Sequence, residues 1–190
     1  MSRVKLRSDD DVLDCAIRVM FAKGPVDFTL ADVGAVAGIA PATLLQRFGD
    51  KHSLTVRAVA RDNLRYADLL AAAPRAIGVE AVIDLFWSLT PGDDDEATLA
   101  DQLLWLRQDI RDPDLNALAR ERLALLRDAV AERLPPMAIA VDSAARLVEA
   151  QWHGALQQWG VERRGRLADY VTENLTAWFE LVAPAEQASN

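Results

Sequence analysis

The sequence predicts an all-α protein of about nine helices. Apolar residues recur at helical spacing along most of the chain, runs of β-branched residues are almost absent, and Gly or Pro breaks the pattern at intervals that suit helices. Ala, Leu and Arg, all good helix formers, are abundant. With 190 residues, 51% of them hydrophobic and 26% charged, the chain can bury a core without disulfide or metal staples.

The first helix is expected from about Asp10 to Lys23, because Val12, Leu13, Ala16, Ile17, Met20 and Phe21 fall on one helical face. Ser8 or one of Asp9, Asp10 and Asp11 caps its start, and Gly24-Pro25 stops it. Thr29 then serves as N-cap for a short helix through Ala37 that Gly38 closes. Pro41 suits a first-turn position, and Ala42 to Phe48 make a third short helix. A long helix follows from Lys51 to about Ala72, ahead of Pro74. Later Pro and Gly residues divide the rest into helices near 75–89, 93–110, 114–134, 141–159 and 166–182. The eight residues from Ala183 read as a frayed end.

A net charge of −8 argues against a nucleic-acid binder until the chain is divided. Residues 1–65 carry ten Lys/Arg against eight Asp/Glu, whereas residues 66–190 carry eleven against twenty-one. A weakly basic head on an acidic body is compatible with DNA binding, since local charge sets the attraction for phosphate. The single cysteine, Cys15, allows no internal disulfide. No early apolar run has signal-peptide length, and no segment approaches the roughly 20 apolar residues of a membrane span. The expectation is a cytoplasmic protein with no membrane partner.

The informative stretch is Thr29 to Lys51. A helix-turn-helix needs small residues where two helices cross, a turn around Gly, and a second helix able to enter a major groove roughly 12 Å wide. Ala31, Gly34, Ala35 and Ala37 keep the first helix slim, and Ile39, Leu44 and Phe48 anchor the second. With Thr29, Ala37-Gly38, Pro41, Phe48 and Lys51 all in register, the segment resembles the head of the TetR family of transcriptional regulators. The register holds without a gap from Val12 to Leu54, and helix number and order extend the likeness.

The resemblance implies a TetR-type head over residues 1–65 and a ligand-binding, dimerising body over 66–190. It also implies a set of DNA contacts. Thr29 and Lys51 meet phosphates, and Pro41, Ala42, Thr43, Gln46 and Arg47 lie on or near the exposed side of the recognition helix. Arg47 pairs with guanine and Gln46 with adenine, or either holds a phosphate. Two departures stand out: Leu45 takes the place of a common phosphate-binding Tyr, and Ala40 that of a common Ser or Thr. His52 and the basic arm Arg3, Lys5 and Arg7 are the expected compensation.

In the body, Trp105 and Gln108 on one helix and Trp152 and His153 on another are the candidate lining of a pocket for a small-molecule effector, weakly favouring a hydrophobic or aromatic one. Each Trp also fits a plain core. His153 also fits the dimer seam or a satisfied core position. The last two helices carry broad apolar stripes, which the family resemblance assigns to a homodimer seam. Such a dimer presents two recognition helices to a near-palindromic DNA operator, with the effector releasing a repressor.

Rival readings are weaker. His52, His153 and Cys15 form no nucleophile–base pair, and no metal-ligand spacing or phosphate loop is present, so no enzyme, cofactor or metal is expected. The run Asp93-Asp94-Asp95-Glu96 fits a helix start better than a cation site. The losses at Ala40 and Leu45 leave open a helical interaction module that no longer binds DNA. Cys15 leaves open a redox sensor, provided its thiol is reachable.

Overall fold

The computed structural model describes residues 7–90 and 96–182, with the side chains of 96–99 and 101 excluded. Nine helices lie among the described residues: α1 Asp9–Lys23, α2 Leu30–Ala37, α3 Pro41–Phe48, α4 Lys51–Ala72, α5 Val79–Leu89, α6 Glu96–Arg111, α7 Pro113–Ala131, α8 Val141–Glu162 and α9 Leu167–Val182. The expected arm residues Arg3 and Lys5, the acidic run at 93–95 and the end from Ala183 lie outside the described residues. Among the described residues, no helix is long and apolar enough to cross a membrane.

The chain divides into two compact units. The first takes the residues up to 68 together with 101–122, and the second takes 69–100 and 123 onward. The first break thus falls near the expected boundary at 65, and 101–122 are grouped with the head. In the first unit, Val12, Ala16, Met20, Phe28, Val33 and Leu44 are buried almost completely, and Trp105 packs against this core with its ring 6.2 Å from that of Phe21. Asn63 on α4 is buried and donates to the Leu118 carbonyl at 2.9 Å, while Arg122 reaches Asp62 at 2.9 Å and lies over the Tyr66 ring. These long-range side-chain bonds draw 101–122 into the first unit.

One local device starts both α1 and α2. Ser8 accepts from the Asp11 amide while Asp11 accepts from the Ser8 amide, and Thr29 with Asp32 repeats the exchange. Each capping box satisfies amides that a helix start leaves unpaired. Cys15 is fully buried, and its sulfur accepts from Arg7 and Arg18. The reachable thiol that a redox sensor requires is therefore absent.

In the second unit, α8 and α9 pack along each other, and Val148 and Leu156 on the one and Tyr170, Val171 and Leu175 on the other are buried. Indole N–H groups tie its elements together: Trp87 donates to Thr172 at 3.1 Å and Trp159 to the Gly165 carbonyl at 3.1 Å. Helix α8 passes through Gly160 and ends at Glu162, not at 159, because the left-handed Arg163 donates its amide to Trp159 and caps the last turn.

The expected helix from 75 begins only at Val79, and the reason is Arg133. This side chain is 1% exposed and its guanidinium donates to the carbonyls of Ala73, Pro74 and Ala129 at 3.0, 2.9 and 2.6 Å. Its own carbonyl accepts from the Gly78 amide at 2.9 Å. Residues 74–78 thus follow Arg133 and not a helical path, and α7 ends at Ala131 ahead of this turn. Arg133→Met removes the donor from three carbonyls, that of Ala129 in a buried bond and those of Ala73 and Pro74 in partly buried ones. It is expected to lower the unfolding free energy by about 3 kcal/mol in urea denaturation; a change under about 0.5 kcal/mol would mean that the clamp is dispensable.

Candidate nucleic-acid interface

Helices α2 and α3 meet across a turn that only a residue without a side chain permits. A Cβ on Gly34 would stand 2.6 Å from the carbonyl oxygen of Ile39, a separation that would force the backbone apart. The Ile39 amide donates to the Gly34 carbonyl at 3.0 Å, and Gly38 between them adopts the left-handed conformation. Pro41 occupies the first turn of α3, where its missing amide hydrogen costs nothing. Ala40 at the N-cap supplies no side-chain bond, so α3 is held by its anchors Leu44 and Phe48, 0% and 5% exposed.

With Leu44 and Phe48 turned inward, Pro41, Ala42, Leu45 and Gln46 are exposed and Thr43 is half-buried. Arg47 departs from the sequence expectation. Its Nε donates to Asp9 at 2.9 Å, Nη2 reaches the same carboxylate, and Nη1 is buried without a partner among the described residues. Arg57 grips the other oxygen of Asp9 at 3.1 Å, and both guanidinium groups lie over the Phe48 ring. The hydrogen bond from Arg47 lowers the Asp9 pKa, with Arg57 adding to the effect and partial burial opposing it. Arg47 therefore joins the end of α3 to the start of α1, with its guanidinium engaged by Asp9.

Thr29 and Lys51 are also engaged. The Thr29 hydroxyl accepts from the Asp32 amide and donates to the Asp32 carboxylate, which Lys23 also binds. Lys23 foremost, then Thr29, bring the Asp32 pKa down to about 2. What α2 keeps uncommitted at its start are the first-turn amides of Leu30 and Ala31. The Lys51 ammonium donates to the Val26 carbonyl at 2.8 Å and sits 4.2 Å from the Phe28 ring centroid. A carbonyl and an aromatic face hold this cation without cancelling its charge.

His52, expected beside a phosphate, is turned elsewhere. Nδ1 lies 3.3 Å from Asp112 and Nε2 3.1 Å from Asp114. Among the described residues, these three side chains bring their ligand atoms close enough to hold a metal ion, but the two ring nitrogens face different carboxylates, as in a bridging imidazolium and not a chelate. The hydrogen bond to Asp114 raises the His52 pKa, and the charges of Asp112 and Asp114 add to it against partial burial.

No family model matches the sequence, and no curated protein matches it. Solved structures do. A transcriptional regulator from Rhodococcus sp. Rha1 superposes with a TM-score of 0.74 at 15% identity, covering 94% of this chain and 100% of that one. A TetR transcription regulator from Haloarcula marismortui gives 0.73 at 11% identity, covering 93% and 98%. A TetR-family member from Streptomyces coelicolor A3 gives 0.67 at 22% identity, covering 92% and 97%. The chain has the TetR regulator fold.

Within this TetR fold the four candidate effector residues are not gathered on one element or in one unit. Trp105 and Gln108 lie in the first unit, where Trp105 serves the head core and its indole N–H is buried without a partner among the described residues. The neighbouring Asp109 is half-buried, and burial raises its pKa to about 6 against the pull of Arg122. Trp152 and His153 lie in the second unit. Trp152 stacks on Phe86 with centroids 4.9 Å apart and donates to Thr90 at 3.3 Å. His153 faces the buried Glu149, which Arg127 also binds, and burial lowers the His153 pKa against the opposing charge of Glu149. The sequence offered no sign of Glu149 or Arg127.

Two outcomes test this geometry. Gly34→Ala is expected to destabilise the protein by about 1–3 kcal/mol, as forced overpacking does, read from urea midpoints; an unchanged midpoint would show that the turn has room. The raised His52 pKa stabilises the folded state fully below the unfolded value near 6.5, and that contribution is lost as pH rises through the folded value. Between about pH 5.5 and about pH 8 the wild type should therefore lose more thermal stability than His52→Ala. Parallel profiles would show that the bridge contributes nothing.

Proposed function

We propose that this protein is a TetR-type transcriptional regulator that binds duplex DNA as a homodimer and answers to a small-molecule effector. The observation that carries the reading is the closed α2–α3 turn, which anchors α3 by Leu44 and Phe48 and leaves Pro41, Ala42, Leu45 and Gln46 outward and uncommitted. A helix presented in this way suits a major groove. The solved structures of like fold are described as transcriptional regulators, which supports the reading.

In this role Lys51 and the first-turn amides of α2 hold phosphates and fix the register, and α3 meets the bases. Thr29 acts by shaping the start of α2, Thr43 lies at the edge of the reading face, and Gln46 pairs with adenine. Arg47 and His52 brace the head. The second unit dimerises through α8 and α9, where Val141, Leu147 and Leu181 remain exposed in the single chain. Its aromatic groups around Trp152 and His153 favour a hydrophobic or aromatic effector, and release from a near-palindromic operator is the sign of regulation that the family resemblance favours.

The test is selection of bound sequences from random duplex DNA at moderate and raised salt. A salt-sensitive palindrome is the expected result, with affinity falling by about 0.9 log units per log unit of salt for each neutralised phosphate. Lys51→Ala should weaken every bound sequence about equally and reduce the salt slope by about one phosphate. Recovery of no sequence at either salt would favour an interaction module that has left DNA, the reading to which Ala40 and Leu45 lend weight.

A further inference from the structure

The outward face of α3 is chemically unusual for a surface meant to read base edges. Ala42, Leu45 and Gln46 stand at positions i, i+3 and i+4, on one stripe opposite the buried Leu44 and Phe48. Leu45 is 47% exposed, so an isobutyl group projects from the middle of the stripe. The cation nearest to it in sequence, Arg47, is folded back onto Asp9 and over Phe48. The stripe therefore offers methyl groups and a single amide.

A major groove carries hydrogen-bond donors and acceptors at every base pair and one apolar feature, the C5 methyl of thymine. A leucine pressed against a G·C pair would strip water from polar edges and return no bond. Against thymine it covers a methyl group, and both surfaces leave water. Lys51 keeps an uncancelled charge at the start of α4, so the head can hold a phosphate backbone while α3 presents its apolar stripe. From this chemistry we infer that Leu45 and Ala42 are specificity-determining residues that read thymine methyl groups, with Gln46 taking an adjacent adenine. Each half-site is then A·T-rich at the positions that α3 faces. This inference rests on the DNA-binding role proposed above.

The experiment separates the methyl group from everything else at the base pair. In the selected operator, each thymine is replaced in turn by deoxyuridine, which keeps every hydrogen-bonding group and lacks only the methyl. Binding is measured for the wild-type protein, Leu45→Ala and Leu45→Met. Wild type should lose about fourfold in affinity per methyl removed at the facing positions, and about 16-fold when both half-sites change together. In Leu45→Ala the loss at one position per half-site should disappear while the salt slope stays unchanged, and Leu45→Met should retain it. Because Leu45 is exposed, both variants should keep the wild-type helical circular dichroism, which confirms that they are folded. A salt-sensitive operator whose thymines all tolerate deoxyuridine would overturn the inference and leave the DNA-binding role standing, as would methyl effects identical in wild type and Leu45→Ala. Failure to select any DNA would overturn both.

Discussion

Everything in the head turns on the absence of one carbon atom. The Ile39 carbonyl stands where a side chain on Gly34 would begin, and this approach sets how α2 and α3 meet. With the crossing fixed, Leu44 and Phe48 reach the core formed by Val12, Ala16, Met20 and Phe28, and the opposite side of α3 must face solvent. The exposed face of α3 is thus a by-product of packing. No interaction on that surface needs to hold it in place, which leaves its side chains free of a structural role.

Around this packing runs a web of charge that closes on itself. Asp9, Asp10 and Asp14 at the start of α1 meet Arg47, Arg57, Arg61 and Arg65 from α3 and α4. Exposed pairs of this kind each add little to stability, but a shared carboxylate such as Asp9 fixes two long side chains at once. Four of the ten basic residues counted along the head are thus committed to aspartates and do not act as free cations.

The parts legible in the sequence were those governed by neighbours in the chain. Ser8 with Asp11, Thr29 with Asp32, the glycine at 38 and the proline at 41 act over a few residues, so helix starts and the turn could be read directly. Long polar side chains could not, because they choose partners through space. Arg47 finds Asp9 across 38 residues, His52 finds Asp114 across 62, and Arg133 gathers carbonyls 59 and 60 residues away. A pattern of types along the chain carries no sign of these meetings. The packing of Trp105 on the head core was hidden for the same reason: an aromatic on an amphipathic helix looks alike whether it lines a cavity or closes a neighbouring core.

The pairing of the arginines with the aspartates of α1 bears on how a regulator finds its site. Attraction to anonymous duplex comes from unmatched cations, and such attraction holds most copies of a basic protein on irrelevant stretches of a genome. In the DNA-binding role proposed above, a head that commits its arginines to its own aspartates would give up part of that hold and leave a larger share of its copies in free solution. In that role fewer copies would be needed to fill a cognate site, because fewer would be held on neighbouring DNA.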